Sequence, residues 1–182
     1  MKLYRRDINY EYSNKDLILR SIWGCIRILF RFSPRTFFAF RRYILLIFGA
    51  KIGRGTRIYP SVKIFAPWNL EIGSKTAIGE NVIIYNLGKI QIGDHVTISQ
   101  RAHLCAGTHD YLNLDKYNIM PLIKSKISIS DGVWLCTESF IGPNIRIGKN
   151  SIIAARAVVV KDVKENRIMA GNPAKFIKDR YG

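Results

Sequence analysis

Residues 129–160 read ISDGVWLCTESFIGPNIRIGKNSIIAARAVVV, with aliphatic side chains at Ile129, Leu135, Ile141, Ile147, Ile153 and Val159. The buried face of a helix recurs every three or four residues and that of a strand every two, so a step of six fits neither. It fits a parallel β-helix, in which each hexapeptide makes one short strand and one turn, and three hexads close a triangular coil. The stepped aliphatic side chain then points into the prism. Four places after it, a small side chain (Ser139, Ser151, Ala157) leaves room at the corner. Chance spacing does not hold one phase through six hexads.

The same step runs toward the N-terminus, through Ile52, Ile58 and Ile64, then Ile72, Ile78, Ile84 and Ile90. A shift of two residues restarts it at Ile92, Ile98 and Leu104. Glycine or alanine often follows the stepped residue (Gly53, Gly73, Gly79, Gly93, Gly142, Gly148, Ala154), and Val62, Val82, Val96 and Ala102 take the corner place. Residues 110–126, DYLNLDKYNIMPLIKSK, hold no hexad and read as an excursion loop, the usual seat of binding specificity on a rigid scaffold. After Val160 and Lys161, Gly171-Asn172-Pro173 marks a turn, and residues 174–180 read as a short basic helix or tail. The expectation is an all-β domain over residues 51–182, built of stacked coils whose open ends need caps.

Residues 1–50 have another texture. Of the 29 Lys+Arg and 13 Asp+Glu that give the 182-residue chain its +16, ten and three fall here. Leu19, Ile22, Trp23, Ile26, Leu29 and Phe30 recur at helical spacing, with Arg20, Arg27 and Arg31 on another side, so residues 14–31 read as an amphipathic helix capped by Ser13 or Asn14. Ser33-Pro34 starts a second, very apolar helix over residues 36–48, with Arg41 and Arg42 in its middle and Gly49 as its stop. No stretch reaches the ~18 charge-free apolar residues of a membrane span, and no secretory signal pattern is present. The helices either pack on the coils or a neighbouring subunit, or lay residues 14–48 on an anionic membrane surface.

An apolar content of 48% excludes wholesale disorder. Three widely spaced cysteines without a CxxC pair argue against a disulfide framework or a cysteine zinc site and suit a reducing, cytoplasmic compartment. Nucleic acid as the anionic partner is set aside, because no aromatic-interleaved basic patch or recognition motif is present.

Five segments carry a family resemblance: residues 33–55 (SPRTFFAFRRYILLIFGAKIGRG), 57–73 (RIYPSVKIFAPWNLEIG), 82–111 (VIIYNLGKIQIGDHVTISQRAHLCAGTHDY), 130–148 (SDGVWLCTESFIGPNIRIG) and 161–175 (KDVKENRIMAGNPAK). They resemble the hexapeptide-repeat acyltransferases, within them the sugar O-acetyltransferases related to galactoside and maltose acetyltransferases, and especially the colanic-acid-type polysaccharide enzymes. The resemblance implies a left-handed β-helix, a homotrimer with active sites between subunits, and acetyl-CoA as donor. It implies acetyl transfer to a sugar hydroxyl in surface polysaccharide (capsule or exopolysaccharide) biosynthesis, on a free or lipid-linked glycan. The resulting expectation is a cytoplasmic enzyme with peripheral contact at the inner face of the membrane. Acyl transfer to an amino-sugar nitrogen and a non-catalytic scaffold are the alternatives.

His109, between Thr108 and Asp110 at the start of the excursion, is a base able to take a proton from a sugar hydroxyl, and it matches the family's catalytic histidine. Asp110 or a backbone carbonyl could orient its ring. The family's acceptor-binding asparagine has no counterpart near Gly79 and Asn81, so Tyr85, Asn86 and Asp110 stand as acceptor-binding candidates, with Trp134 matching an active-site tryptophan. The match places Thr137, Ala155, Val160, Lys161, Lys175 and Lys178 at coenzyme A contacts. Ala154, Ala155 and Ala157 offer a smooth face for the pantetheine arm, and the lysines offer charge for the phosphates. Valine at 160 and lysine at 175 and 178 depart from the family's threonine and arginines, losing a hydroxyl and the guanidinium fork. His103 reads as packing at a subunit contact and His95 as a solvated turn residue. No metal is expected, because the spacing His95-x₇-His103-x₅-His109 does not match the three-histidine zinc pattern of γ-type carbonic anhydrases on the same fold.

Overall fold

In the computed structural model, which describes residues 14–114 and 120–181, inward aliphatic side chains stack in three parallel columns. The first face pairs Ile52, Ile72, Ile92, Ile129, Ile147 and Val163 in register. Ile58, Ile78, Ile98, Leu135, Ile153 and Met169 form the second. Ile64, Ile84, Leu104, Ile141 and Val159 form the third. Successive hexads thus take successive faces, and the chain forms the expected parallel β-helix. Ile90 belongs to a second inward row, Leu70–Ile90–Ile127, beside the first. The two-residue shift in the sequence is therefore a longer corner between the third and first faces.

Each corner has its own backbone rule. The residue three places after the column position has a left-handed φ of about +55° to +70° at Gly55, Lys75, His95, Gly132 and Asn150, and likewise at Asn81, Arg101, Glu138 and Arg156. Glycine and asparagine tolerate this conformation, but lysine, arginine and glutamate adopt it only under constraint. Here the constraint is the ladder of bonds between successive corners, such as Arg101 N–H to Glu80 O and Glu138 N–H to Gln100 O. One place later the chain turns inward, which buries Thr56, Thr76, Val82, Val96, Ala102, Val133, Ser139, Ser151 and Ala157.

Two helices, α1 (Asn14–Phe32) and α2 (Phe38–Ile47), close the N-terminal end. Ser13 lies outside the described residues. The apolar stripe of α1 is narrower than its sequence implies: Trp23 and Phe30 are buried, whereas Ile22 and Leu29 are exposed. The Trp23 indole N–H donates to Ile64 O at 2.9 Å and fastens α1 to the first coil. Arg20, on the side of α1 that it shares with Arg27 and Arg31, lies over the Phe65 ring at 4.4 Å. Ser33 does not cap α2, which begins after Phe37 without a side-chain cap. Its hydroxyl donates back to Phe30 O at 2.7 Å and accepts from Arg41 Nη1.

Arg41 is fully buried. Its guanidinium donates to Pro34 O, Arg35 O and Ile58 O at 2.6–2.7 Å, tying the inter-helix turn to the coil. Burial pushes it below its ordinary pKa, and these acceptors are what keep a charge tolerable there. Arg42 donates to Ile52 O and Gly53 O. Both central arginines of α2 therefore hold the fold together and do not face outward. Among the described residues no helix is long and apolar enough to cross a membrane. At the other end, Arg167–Ala170 and Lys175–Asp179 form an antiparallel hairpin around the expected turn, so the basic C-terminal segment is a strand and not a helix. Its outer strand follows the last coil on the second face.

Replacing Arg41 with leucine strands the buried Ile58 carbonyl and releases the turn at Pro34 and Arg35, and at ~1–3 kcal/mol for the stranded group the loss should be about 2 kcal/mol or more. Thermal unfolding should show it as a clear drop in midpoint, and an unchanged midpoint would refute this role.

Candidate active site

The excursion leaves the coil at the corner between the third and first faces, and earlier than its sequence suggests. Gly107–His109 pairs antiparallel with Leu122–Lys124, placing His109 opposite Leu122 on a two-stranded arm. The arm is rooted by Ser125 N–H to Ala106 O and Ile127 N–H to Lys89 O. Gly88 has no room for a side chain, because a Cβ would run into the carbonyl of Ser125 on the returning strand. Gly107 lies against Tyr85 and Leu87 in the same way, where a Cβ would sit 3.0 Å from each. The YNLG stretch is therefore the seat on which the arm stands.

His109 is exposed, and its Nδ1 lies 3.0 Å from Met120 O, two residues before the opposite strand begins. A carbonyl oxygen only accepts, so Nδ1 carries the proton and Nε2 is left as an open acceptor. The backbone thus sets the tautomer that a general base requires. Asp110 does not orient the ring. Its carboxylate accepts from the Asn113 side chain and from the N–H groups of Asn113 and Leu112, which hold it below the usual carboxylate range and shape the arm's turn.

Asn86 departs furthest from its expected role. It is fully buried, accepting from Phe65 N–H and Ala66 N–H at 3.1 and 3.0 Å and donating to Ala66 O at 2.5 Å. A buried amide needs such partners, and with them it fastens two corners together and presents nothing to an acceptor. Tyr85 is half-buried, its ring 4.9 Å from that of Phe65.

Trp134 is exposed on the second face, its Nε1–H donating to Ser99 Oγ at 2.9 Å. Thr137 and Ala155 stack at the corner between the second and third faces, and the Thr137 hydroxyl donates to Gln100 O. Ala157 is buried and lines no groove. Val160 and Lys161 are exposed at the corner from which His109 departs, two coils further on, or ~10 Å at one strand spacing per coil. Lys175 and Lys178 are exposed on the C-terminal strand beyond the second face. A single chain thus brings His109, Tyr85, Val160 and Lys161 to one edge, and carries Trp134, Thr137, Ala155, Lys175 and Lys178 on another side.

His103, half-buried on the third face, packs edge-on against Phe140 of its own chain at 5.3 Å, and burial pushes its imidazole down. His95 sits exposed in a left-handed corner. The three histidines therefore occupy a corner, a face and the arm, and do not converge. Two features had no sequence signal. The Met120 carbonyl is a backbone group, and the Arg101–Glu138–Arg156 bridge, at 2.7 and 2.6 Å, joins corners 18 and 37 residues apart.

No protein-family model matches the chain. It is 38% identical over 159 residues to the proposed colanic acid biosynthesis acetyltransferase WcaF of Escherichia coli strain K12, spanning 87% of this chain and 85% of that protein. Galactoside O-acetyltransferase of the same strain is 28% identical over 130 residues, 71% of this chain and 64% of that one. Among solved structures, a hexapeptide-repeat acetyltransferase of Vibrio cholerae O1 biovar eltor complexed with acetyl coenzyme A superposes with a TM-score of 0.82 at 25% identity, over 93% of this chain and 91% of that one.

Asn86→Ala removes three bonds from a buried corner and should cost about 2–4 kcal/mol of stability. A loss of acceptor affinity at unchanged stability, measured by steady-state kinetics beside thermal unfolding, would return Asn86 to the site.

Proposed function

The chain belongs to the hexapeptide-repeat acetyltransferases, and from that premise we propose that it transfers acetyl from acetyl-CoA to a sugar hydroxyl of a surface polysaccharide or its lipid-linked precursor. The observation that carries this reading is His109, with Nδ1 held by Met120 O and Nε2 open on an exposed arm. When bound, acetyl-CoA supplies the acetyl group as an activated thioester. His109 Nε2 takes the proton of the acceptor hydroxyl as its oxygen attacks the thioester carbonyl, and backbone N–H groups steady the oxyanion; the C–S bond then breaks, and coenzyme A leaves as the thiol, its sulfur taking the proton from His109. Neither Cys105 nor Cys136 is needed as an acyl carrier. Burial raises the Cys136 thiol, which works against its use as a thiolate.

The residues present suit coenzyme A. Ala155 leaves a smooth surface beside Thr137, and Lys161, Lys175 and Lys178 offer exposed cations for its phosphates. Their division between two sides of one prism favours a homotrimer. A head-to-tail ring sets the His109 edge of one subunit against the Trp134 and Thr137 side of the next. The exposed apolar residues of α1 and α2 support a further part of the reading, that this end of the enzyme rests on an anionic membrane surface at the cytoplasmic face.

His109→Ala should lower kcat by about 10²–10⁴ while acetyl-CoA still binds, and near wild-type turnover would overturn the reading. The acetylated product should lose its acetyl group in mild alkali, as an ester does; an alkali-stable product would mean transfer to nitrogen. Co-expressing the His109→Ala chain with a Lys175→Glu/Lys178→Glu chain should restore measurable turnover through hybrid trimers. Sites complete within one chain would show no such rescue.

A further inference from the structure

A groove of about 480 Å³ runs between α1 and the first coil. Trp23, Ile28 and Phe32 form one wall and Pro60 lies opposite, with Arg27, Arg31 and Lys63 among its lining. Arg27 and Arg31 are one helical turn apart, so both guanidinium groups reach the same stretch of groove. Among the described residues the other N-terminal arginines are engaged: Arg41 and Arg42 on carbonyls, Arg35 on Tyr59, Arg20 over Phe65. Among the described residues the side chains of Arg27, Arg31 and Lys63 have no hydrogen-bond or ion-pair partner, and no acidic residue lines the groove. Three cations gathered on an apolar trough fit an amphiphile that is anionic at one end. Ile28 and Phe32 of the groove are also exposed, and the same two helices expose Leu29, Phe37, Phe40, Tyr43 and Ile47.

We propose that this groove is a binding site for one anionic membrane lipid, its phosphate paired with Arg27, Arg31 and Lys63 and its acyl chain laid along Trp23, Ile28, Phe32 and Pro60. The proposal rests on the membrane reading of the N-terminal helices given above and adds a defined lipid site to it. A surface that merely attracts anionic lipid gains about 1 kcal/mol from each cation wherever it lies. A groove makes two particular arginines matter more than two others, and favours a phosphate monoester over a diester-linked headgroup of equal surface charge.

The test is flotation of the full chain with phosphatidylcholine vesicles alone, with phosphatidate, and with phosphatidylserine at matched surface charge. Arg27→Gln/Arg31→Gln is compared with Lys15→Gln/Arg35→Gln, which removes two cations of the same segment outside the groove. The groove variant should lose about tenfold more affinity for phosphatidate vesicles than the control, and with it the preference for phosphatidate over phosphatidylserine. Dioctanoyl phosphatidate should compete with the vesicles where inorganic phosphate does not. Equal losses in the two variants would overturn the groove and leave general membrane attraction standing. Competition by inorganic phosphate alone would reassign the site to a free anion and overturn the lipid. Failure of the wild type to bind any vesicle would overturn the groove and the membrane contact together, without bearing on acetyl transfer, which the assay does not read. A drop in oligomer mass in the groove variant, without vesicles, would give the groove to a second copy and overturn the proposal.

Discussion

Everything in this molecule hangs on parallel stacking of coils at one strand spacing, ~4.8 Å. That spacing obliges each inward side chain to sit directly over its counterpart in the coil below. Only side chains of closely similar shape do so without voids, which is why isoleucine recurs through the columns at 52, 72, 92, 129 and 147. The same spacing fixes the corners, where left-handed backbone is held by bonds to the corner beneath. A solenoid of this kind transmits little sideways, because each coil touches only its neighbours. Chemistry can therefore be added at a corner without disturbing the core.

Among the described residues, the coil is lengthened and then left at the corner between the third and first faces. Two extra residues there bury Asn86, whose amide replaces ladder bonds that the longer corner cannot make. One coil on, the chain departs altogether and returns as a two-stranded arm. The arm is positioned by tight packing of Gly88 and Gly107, and the bond to Met120 O, on the segment that leads into the returning strand, orients the His109 ring. A side chain on a free loop would have to be ordered by whatever binds it; one on a hydrogen-bonded arm is ordered beforehand. Asp110 contributes indirectly, by shaping the turn beside it.

Charge is distributed by burial. The fold sorts the N-terminal excess. Arg41 and Arg42 become internal hydrogen-bond donors, Arg20 lies on an aromatic ring, and Arg27 and Arg31 remain at a groove. The C-terminal lysines stay exposed on an edge strand, where they are free to meet an anion. One net charge on one chain is thus divided between internal hydrogen bonds and two exposed clusters.

The sequence by itself determined the coil and the excursion, because a periodic core writes its period directly into the chain and a break in that period stands out. His109, one of three histidines, was singled out by its place at that break together with the family resemblance. The sequence also located both helices to within a few residues. Other features are contacts between residues far apart along the chain. Asn86 lies twenty residues from Ala66, whose backbone it holds, and Arg41 lies 17 from Ile58. No local pattern distinguishes an asparagine aimed at a ligand from one aimed at a neighbouring coil, nor an arginine facing water from one facing carbonyls. The choice is made by stacking, which brings distant backbone groups within reach and buries them. Which nitrogen of His109 is free was decided in the same way, by a carbonyl eleven residues along that only the pairing of two strands sets beside it.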